Sequence, residues 1–328
     1  MSPTRIDATY ILPIRRERPD DSEELTDYLE QVAERLEVVV VDGSPPGVFA
    51  AHSAGWGSFV RHLPPDPDLY TPMGKVGGVL TGVRHATHER LVIADDDVRY
   101  QPAALARVVA LLDRADVVRP QNYFDPLPWH ARWDTARILL NRMTGGDWPG
   151  TLAVRRSILR VTGGYDGGVM FENLELVRTV RAAGGTEVVP FDLFVRRHPP
   201  SARHFWSQRV RQAYDELARP VRLASSLAVL PLAAWCIVTG RWVALGSAAG
   251  ASIGLAELGR RRAGGRSVFP ATASLLAPAW IAERGLCSWL ALGARVVLGG
   301  IPYRSTILTR AATPMRELRR RHGTTRAK

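Results

Sequence analysis

Cysteine and lysine are both scarce in this chain of 328 residues. The two cysteines, Cys236 and Cys287, lie far apart in apolar segments, which argues against a disulfide framework and against a cysteine-based metal cluster. Lysine occurs only at Lys75 and Lys328, so arginine carries nearly all the positive charge behind the formal net charge of +11. Residues 1–14 lack the layout of a signal peptide, and we expect the bulk of the protein to stay in the cytosol.

Sequence patterns of nucleic-acid-binding proteins are missing as well. The chain has no zinc-finger spacing, no aromatic pattern of an RNA-recognition motif and no isolated basic recognition helix. Its positive charge also suits anionic lipids or phosphorylated substrates. We therefore expect no nucleic-acid partner.

The first 200 residues alternate between strand-like and helix-like segments. Strands are predicted at residues 8–14, 37–41 and 90–94, and helices at 22–35 (opened by a cap at Asp21 and Ser22), 76–85 and 102–114. The runs at 37–41 and 90–94 are apolar without alternation, as in strands buried on both faces. This order predicts an α/β domain with a mostly parallel sheet flanked by helices, whose ligands bind at the carboxyl ends of the strands.

Beyond residue 220 the composition becomes apolar. Four segments of 14 to 17 residues contain almost no charge, at residues 223–239, 242–258, 268–282 and 285–298. They are shorter than the ~20 residues of a spanning helix, so we expect two hairpins that either cross a bilayer or dip into one leaflet. A buried soluble helical domain is the alternative. The connections at 239–241 and 283–284 carry less positive charge than the arginine clusters at 260–266 and 316–321, which places the clusters and the first half on the cytoplasmic side.

Three consecutive aspartates, Asp95, Asp96 and Asp97, follow the predicted strand at 90–94. Neighbouring carboxylates raise one another's pKa unless a cation lies among them. Residues two apart in an extended segment share a face, so Asp95 and Asp97 can converge on one ion. Mg²⁺ and Mn²⁺ prefer carboxylate and phosphate oxygens, which favours a divalent metal here. A solvated turn is the alternative.

Five segments together resemble a family 2 glycosyltransferase with a GT-A fold, of a membrane-anchored bacterial type. They are ILPIRRE, VVVVDGS, GKVGGVLTG, LVIADDDV and the stretch from GGDWPG to VRAAGG, within roughly residues 8–215. The resemblance implies a GT-A catalytic domain at residues 1–200 (Rossmann-like, with helices on the sheet). After it we predict a linker with an amphipathic interface helix at 201–222, an all-α module of membrane-associated hairpins at 223–300 and a basic cytoplasmic tail at 301–328.

The donor site follows from the same resemblance. It implies a nucleotide-sugar site formed by Pro13, Arg15, Asp42, Lys75, Asp95 and Asp96, with Mg²⁺ or Mn²⁺ on Asp95, Asp97 and His198. Asp42 corresponds to the family's base-recognition aspartate, which favours a UDP-sugar, and its alternative role is an Asx-turn. Lys75 matches the family's GK lysine, and a solvated loop lysine is its alternative. For His198 a structural role is the alternative.

The acceptor site departs from the family pattern. Trp148 and Gly150 lie in the glycine-rich segment at 145–151, where a sugar can approach the backbone and a tryptophan can either stack on it or belong to the core. The family's usual Glu-Asp pair reads Glu172-Asn173, and asparagine takes no proton at neutral pH. We predict Glu172 as the catalytic base. Glu175, or an acceptor that is already anionic, is the alternative.

The QxxRW motif of lipid-linked and processive members is also altered. It appears as Gln208, Arg211 and Gln212, with Trp206 preceding it as a substitute for the missing tryptophan. We assign Trp206, Gln208 and Arg211 to the acceptor site. The altered motif argues against processive polymer synthesis.

The sequence as a whole predicts an inverting, metal-dependent glycosyltransferase at the cell membrane, with its catalytic domain on the cytoplasmic side. It moves a sugar from a nucleotide-sugar, with UDP-sugar favoured, to a membrane-lipid acceptor. A polyprenyl-phosphate acceptor and a catalytically altered scaffold protein are the alternatives. Nucleotidylyl transfer is disfavoured because no glycine-rich phosphate loop follows the first strand.

Overall fold

The computed structural model describes residues 5–18, 23–304 and 306–323. The predicted helix cap at Asp21 and Ser22 lies outside these residues, as does the final part of the predicted tail.

Strands form three sheets. They are β1 (Thr9–Ile14), β2 (Glu37–Asp42), β3 (Arg61–Leu63), β4 (Arg90–Ala94), β5 (Val98–Arg99), β6 (Val117–Val118), β7 (Gln121–Phe124), β8 (Thr151–Arg155), β9 (Glu187–Val188), β10 (Phe194–Arg197), β11 (Ile301–Tyr303) and β12 (Thr306–Leu308). The large sheet has the order β3-β2-β1-β4-β8-β6-β9, and within the described residues β8 alone runs against the other strands. A small sheet of order β5-β10-β7 and the β11–β12 hairpin complete the set.

Helices cover the sheet and then form the C-terminal third. They are α1 (Glu23–Ala33), α2 (Pro46–Trp56), α3 (Gly74–His85), α4 (Pro102–Ala110), α5 (Trp129–Met143), α6 (Arg156–Thr162), α7 (Glu172–Ala182), α8 (Ala202–Ser207), α9 (Arg209–Tyr214), α10 (Pro220–Val238), α11 (Trp242–Arg261), α12 (Ala271–Ser274), α13 (Ala277–Val297) and α14 (Met315–His322). Short 3₁₀ turns include Leu111–Asp113, Asp215–Ala218 and Arg262–Ser267.

The alternation predicted for the first 200 residues is confirmed. β4 has the predicted bounds, while β1, β2, α1, α3 and α4 differ from the predictions by a few residues at their ends. The valine run of β2 is buried along its length, as expected for a strand covered on both faces. Glycines allow α3 to lie directly on β1, because a Cβ at Gly82 would come within 2.4 Å of Ile11.

The predicted pair of apolar hairpins is wrong in its second half. The stretch expected to form two segments joined at residues 283–284 is instead largely one helix, α13. Glu283 lies on a protein-facing side of α13, where it accepts hydrogen bonds from Arg209 (3.0 Å) and Trp133 (3.2 Å), and the neighbouring Arg284 is buried. The sequence predicts a loop at this charged pair because it does not show that the partners of Glu283 and Arg284 lie on other helices.

The C-terminal helices dock onto the first domain and also present apolar side chains to the outside. Both α11 and α13 pack against α5, and Gly259 of α11 lies so close to the backbone of Leu139 that a Cβ there would overlap it. Within the described residues, α10 alone is long and apolar enough to cross a membrane, with a mean hydropathy of 1.9 and none of its apolar window buried. Exposed large apolar residues include Trp235, Val238, Trp242, Val243, Trp289, Val296 and Val297.

The segment after the β11–β12 hairpin fastens the start of α7. Val169 forms an isolated parallel bridge with Arg310, and the amide of Phe171 donates to the carbonyl of Ala311. The amide of Thr313 donates to the buried carboxylate of Glu175 at 2.6 Å, across 138 positions of sequence. Glu175 is therefore a structural partner of this segment and not the alternative base considered above.

Candidate active site

The carboxyl ends of β1, β2 and β4 open into a cavity of about 890 Å³. Pro13 and Arg15 at the end of β1 line it, with Arg15 half-exposed and 3.3 Å from Glu17. The first turn of α3 and the turn of the β11–β12 hairpin, with Tyr303 and Arg304, form other parts of the wall. The predicted position of a ligand at this edge of the sheet thus coincides with this cavity.

Each of the three aspartates pairs with a basic side chain of the protein. The pairs are Lys75 with Asp95 (2.6 Å), Arg16 with Asp96 (2.5 Å) and Arg197 with Asp97 (2.8 Å). Arg197 also lies 3.7 Å from Asp95, so Asp95 and Asp97 do converge on one cation, which here is a guanidinium group. These partners offset the repulsion that the sequence places between the three carboxylates.

Asp97 nevertheless keeps an unused ligand atom. Its Oδ1 is buried and has no hydrogen-bond partner within the described residues. Burial raises the pKa of Asp97, the Arg197 charge lowers it in part, and Asp95 and Asp96 raise it further. A buried carboxylate oxygen without a partner, beside a second carboxylate, is a donor set that fits a divalent cation.

His198 does not join the aspartates as the predicted third metal ligand. β10 pairs with β5 in such a way that the backbone amide of His198 donates to the carbonyl of Asp97, while its ring lies 3.2 Å from Glu24 on α1. The ring is thus held by a carboxylate on another element, and the sequence alone gives no sign of that contact.

Asp42 lies at the end of β2 as predicted, but its side chain is completely buried. The carboxylate accepts hydrogen bonds from the Ser44 amide (2.9 Å) and contacts His52 (2.7 Å) and His62 (3.1 Å). Burial by itself raises the pKa of Asp42, but the hydrogen bonds from His62, Ser44 and His52 hold it well below its usual range. The Asx-turn considered as its alternative is present, and the carboxylate is engaged by Ser44, His52 and His62 although Asp42 belongs to the cavity wall.

Lys75 connects the donor side with the predicted base. Its ammonium group lies 2.6 Å from Asp95 and 2.8 Å from Glu172. Burial alone would lower the pKa of Lys75, but the charges of Asp95 and Glu172 outweigh it and raise the pKa above its ordinary value. Lys75 therefore stays charged, and it is not the solvated loop lysine considered as its alternative.

A second cleft of about 290 Å³ adjoins the first cavity. Asp95, Asp97, Arg197 and His204 line both spaces, so the two meet at the aspartates. Of the predicted acceptor-side residues, Trp148, Gly150, Glu172, Gln208 and Arg211 line this cleft. A Cβ at Gly150 would lie 2.8 Å from Asp95 Oδ2, so glycine is needed there for the aspartate to keep its place.

Asn173 and Trp148 shape the cleft wall. The Asn173 amide group donates to the carbonyl of Pro149 at 2.9 Å, a bond that an ionised aspartate at this position could not make. The Trp148 ring packs under the Arg119 guanidinium (4.2 Å) and edge-on to Phe171 (5.1 Å). Trp148 thus combines both interpretations considered for it, since it packs in the wall and also borders the cleft.

Trp206 is not part of the cleft. Its ring packs beside Trp129 and Trp133 of α5, at centroid distances of 6.0 and 6.1 Å, and it is 41 % exposed. The turn of α8 that brings Phe205 inward carries the next side chain outward. Trp206 therefore cannot substitute for the tryptophan of the altered motif.

Sequence reasoning missed three residues of these cavities. Arg197 precedes His198 directly, and its basic neighbours gave no reason to single it out. Arg304 reaches the donor cavity from the distant β11–β12 hairpin. Asp215 lines the acceptor cleft one turn after Arg211, and that spacing on a helical segment was the available signal.

The part of the chain that forms these cavities is similar to a known protein family. Residues 10–161 match the sequence profile described as Glycosyl transferase family 2. This stretch of the chain therefore has the sequence features of family 2 glycosyltransferases. The resemblance to a family 2 glycosyltransferase is thereby confirmed, and so is the expectation of a transferase enzyme, whereas the membrane-anchored type stays a prediction.

Two solved structures are similar to this chain to different degrees. A mannosyltransferase from Pyrobaculum calidifontis, PcManGT, solved with GDP-Man and Mn²⁺, has 20% identity and a TM-score of 0.53, with 87% of each chain covered. TarS of S. aureus with UDP-GlcNAc has 15% identity and a TM-score of 0.43, over 62% of this chain and 61% of that one. No curated protein matches the sequence. The family match and the PcManGT structure confirm the GT-A, Rossmann-like α/β fold, whereas the membrane module is not confirmed.

Proposed function

We propose that the protein is an inverting glycosyltransferase that moves a sugar from a nucleotide-sugar to a membrane-lipid acceptor. The observation that carries this proposal is that two cavities meet at Asp95 and Asp97. The larger one, of about 890 Å³, has room for a nucleoside diphosphate, and the smaller one adjoins it at these aspartates. An acceptor in the smaller cleft attacks the anomeric carbon from the side opposite the diphosphate, which inverts its configuration.

The residues around the aspartates would hold the donor diphosphate. Arg197 lines both cavities, and Lys75 and Arg304 line the larger one. Charge-assisted hydrogen bonds from such groups to phosphate oxygens are among the strong ones. The side chains that neutralise the aspartates in this structure are therefore suited to turn to a bound diphosphate.

A divalent cation, Mg²⁺ or Mn²⁺, is part of the proposal. Asp95 and Asp97 would hold it, since Asp97 has an unused buried oxygen and the two carboxylates already share one cation. Bound there, the ion would stabilise the charge that develops on the departing diphosphate. PcManGT, which shares the fold, was solved with Mn²⁺.

The proposed donor is a UDP-sugar, on the resemblance of Asp42 to the family's base aspartate. Because the Asp42 carboxylate is engaged with Ser44, His52 and His62, it gives little support to uracil over guanine. PcManGT was solved with GDP-Man. UDP and GDP therefore have to be compared directly.

The lipid acceptor and the membrane location rest on the exposed apolar side chains of α10, α11 and α13. α10, with 19 residues, is about 28 Å long, close to the thickness of a bilayer core. Arg262, at the far end of α11, packs against Phe191 of the catalytic domain, so the arginine cluster lies on the catalytic side. By the positive-inside rule, that side is cytoplasmic.

Calorimetric titration with UDP and with GDP, each with Mn²⁺ or with EDTA, tests the donor and metal parts. We expect one nucleotide to bind in a metal-dependent way, and Asp97→Ala to weaken that binding about 100-fold because a charged metal ligand is lost. Asp113→Ala, an exposed aspartate paired with Arg90, is the matched control and should bind as the wild type does. Metal-dependent binding that survives Asp97→Ala would refute the metal site, and no nucleotide binding would favour the scaffold alternative.

Flotation with phosphatidylglycerol vesicles tests the membrane part. We expect the wild-type protein to float with the vesicles, and the double variant Val238→Glu/Trp242→Glu to remain largely in the dense fraction. Both side chains are exposed at the α10–α11 turn, and burying a charge there opposes insertion. Val161→Glu, on the exposed face of α6, is the control that should still float. Equal flotation of all three proteins would mean that this turn is not the membrane contact.

A further inference from the structure

The acceptor cleft lacks a base at the position where the family has one. Asn173 donates its amide hydrogens to Pro149, and Glu172 forms an ion pair with Lys75, which in turn binds Asp95. Glu172 is thus part of the charged network on the donor side. A hydroxyl acceptor in the cleft needs another group to receive its proton.

Asp215 lies in the same cleft but, unlike Glu172, is not held by a basic side chain in the described residues. It begins the 3₁₀ turn Asp215–Ala218, and its Oδ1 is buried without a hydrogen-bond partner in the described residues. Its neighbour Glu216 points elsewhere, since its carboxylate pairs with Arg219 and Arg222 at 3.2 Å each. In the described part of the chain Asp215 has no ion pair within 4.0 Å, so its carboxylate remains available to a ligand.

A second acceptor atom in this cleft is also unsatisfied. Gln208 Oε1 is buried without a partner in the described residues, while its amide nitrogen is bonded to Ser207. Buried acceptor oxygens without partners are costly, and two in one cleft indicate a ligand that donates hydrogen bonds. Hydroxyl groups donate, whereas an ionised phosphate has only acceptor oxygens.

The charged side chains of the cleft also favour a hydroxyl ligand over an ionised phosphate. Its described lining contains five carboxylates, Asp95, Asp97, Asp134, Glu172 and Asp215, and three guanidinium groups, Arg137, Arg197 and Arg211. Two of these guanidinium groups are already paired with carboxylates, Arg137 with Asp134 and Asp147, and Arg197 with Asp97. These two guanidinium groups are therefore less available to an anionic acceptor.

We propose that Asp215 is the general base of the transfer and that the acceptor is a neutral hydroxyl compound rather than a lipid phosphate. This inference rests on the proposed glycosyltransferase function. The acceptor oxygen forms a bond to the anomeric carbon while its proton passes to the Asp215 carboxylate. The bond from the anomeric carbon to the diphosphate oxygen breaks, and its electron pair leaves with the nucleoside diphosphate.

The electrostatics around Asp215 suit a base. Burial raises the pKa of Asp215 well above its ordinary value, and the charge of Glu172 on α7 raises it further. Arg219 and Arg284 lower it in part, and Glu216 raises it. A carboxylate with a raised pKa binds a proton more strongly, and it loses its function as a base as the pH falls through that pKa.

The test measures release of nucleoside diphosphate from a nucleotide-sugar. The nucleotide is the one that binds in the calorimetric titration, and the acceptor is water, octyl glucoside or farnesyl phosphate. We expect release with water and octyl glucoside. Asp215→Asn should lower it 10²- to 10⁴-fold. Asp215→Asn should keep the wild-type affinity for the nucleotide. We expect the rate of the wild type to fall at low pH, and we expect the residual rate of the variant not to show this fall. Glu172→Gln should instead weaken nucleotide binding, through Lys75, and retain the pH profile.

The two proposals fail in different ways. Release that persists in Asp215→Asn, or transfer to farnesyl phosphate alone, would overturn the assignment of Asp215 and the hydroxyl acceptor while leaving the transferase intact. Release from the wild type with none of the three acceptors, despite nucleotide binding, would contradict the proposed transfer itself.

Discussion

Two networks of basic side chains and carboxylates in this protein contain the same kinds of residue but differ in how far they are exposed to solvent. One surrounds the three aspartates, where the side chains of Lys75, Asp95 and Glu172 are 17–23 % exposed and border the cavities. The other surrounds Arg209 of α9, which joins Asp134 of α5 to Glu283 of α13. Its members are 2–11 % exposed. Ion pairs at the edge of a cavity can exchange partners with a ligand, whereas pairs enclosed by helices hold the helices in place.

Removal of Arg209 should give the largest effect. Arg209→Ala leaves Asp134 and Glu283 buried without their shared cation, and we expect a loss of about 3–5 kcal/mol in the free energy of unfolding. Urea denaturation of the detergent-solubilised protein measures it. Arg203→Ala, on an exposed position of α8, is the control and should change stability by less than about 0.5 kcal/mol. A change of under about 1 kcal/mol for Arg209→Ala would show that the enclosed network does not secure the helices.

Removal of Lys75 should affect binding more than stability. Lys75→Met takes a charged donor from the wall of the donor cavity, and we expect about 30-fold weaker nucleotide binding, equivalent to about 2 kcal/mol. The partly exposed ion pairs should contribute about 1 kcal/mol or less to stability. Calorimetry and urea denaturation of the same preparation separate the two quantities.

The control for Lys75 is Arg90→Met, which removes an exposed ion pair at the opposite end of β4. It should leave nucleotide binding unchanged. If Lys75→Met destabilised the fold as much as Arg209→Ala and left binding intact, the contrast between the two networks would be lost.

Local sequence was sufficient for the donor end of the site. Asp42 and Asp95–Asp97 directly follow buried strands, and parallel strands bring their carboxyl ends to one edge, so their approach could be predicted without tertiary information. The contacts that these carboxylates make could not be predicted in this way. Arg197, His52 and His62 reach them through strand pairing and helix packing between segments far apart in the sequence.

The C-terminal helices and the acceptor side were less accessible to prediction for the same reason. Glu283 and Arg284 were interpreted as a loop because two charges in an apolar run usually are exposed, and the burial of their side chains depends on α5 and α9. Trp206 was assigned to the site from its nearness to Gln208 in sequence, although a step of two residues on a helix turns the side chain to another face. Glu172 is the base predicted from the sequence, and Asp215 is the base proposed from the structure.

The contact between Thr313 and Glu175 has a consequence for how the enzyme is made. During synthesis, α7 leaves the ribosome long before residues 310–313, and the apolar helices α10, α11 and α13 emerge in between. The cleft wall that carries Glu172 therefore receives its final support only after the helices proposed to enter the lipid have been translated. A nascent chain could fold its nucleotide-binding sheet early and yet transfer no sugar until it has arrived where its acceptor is found.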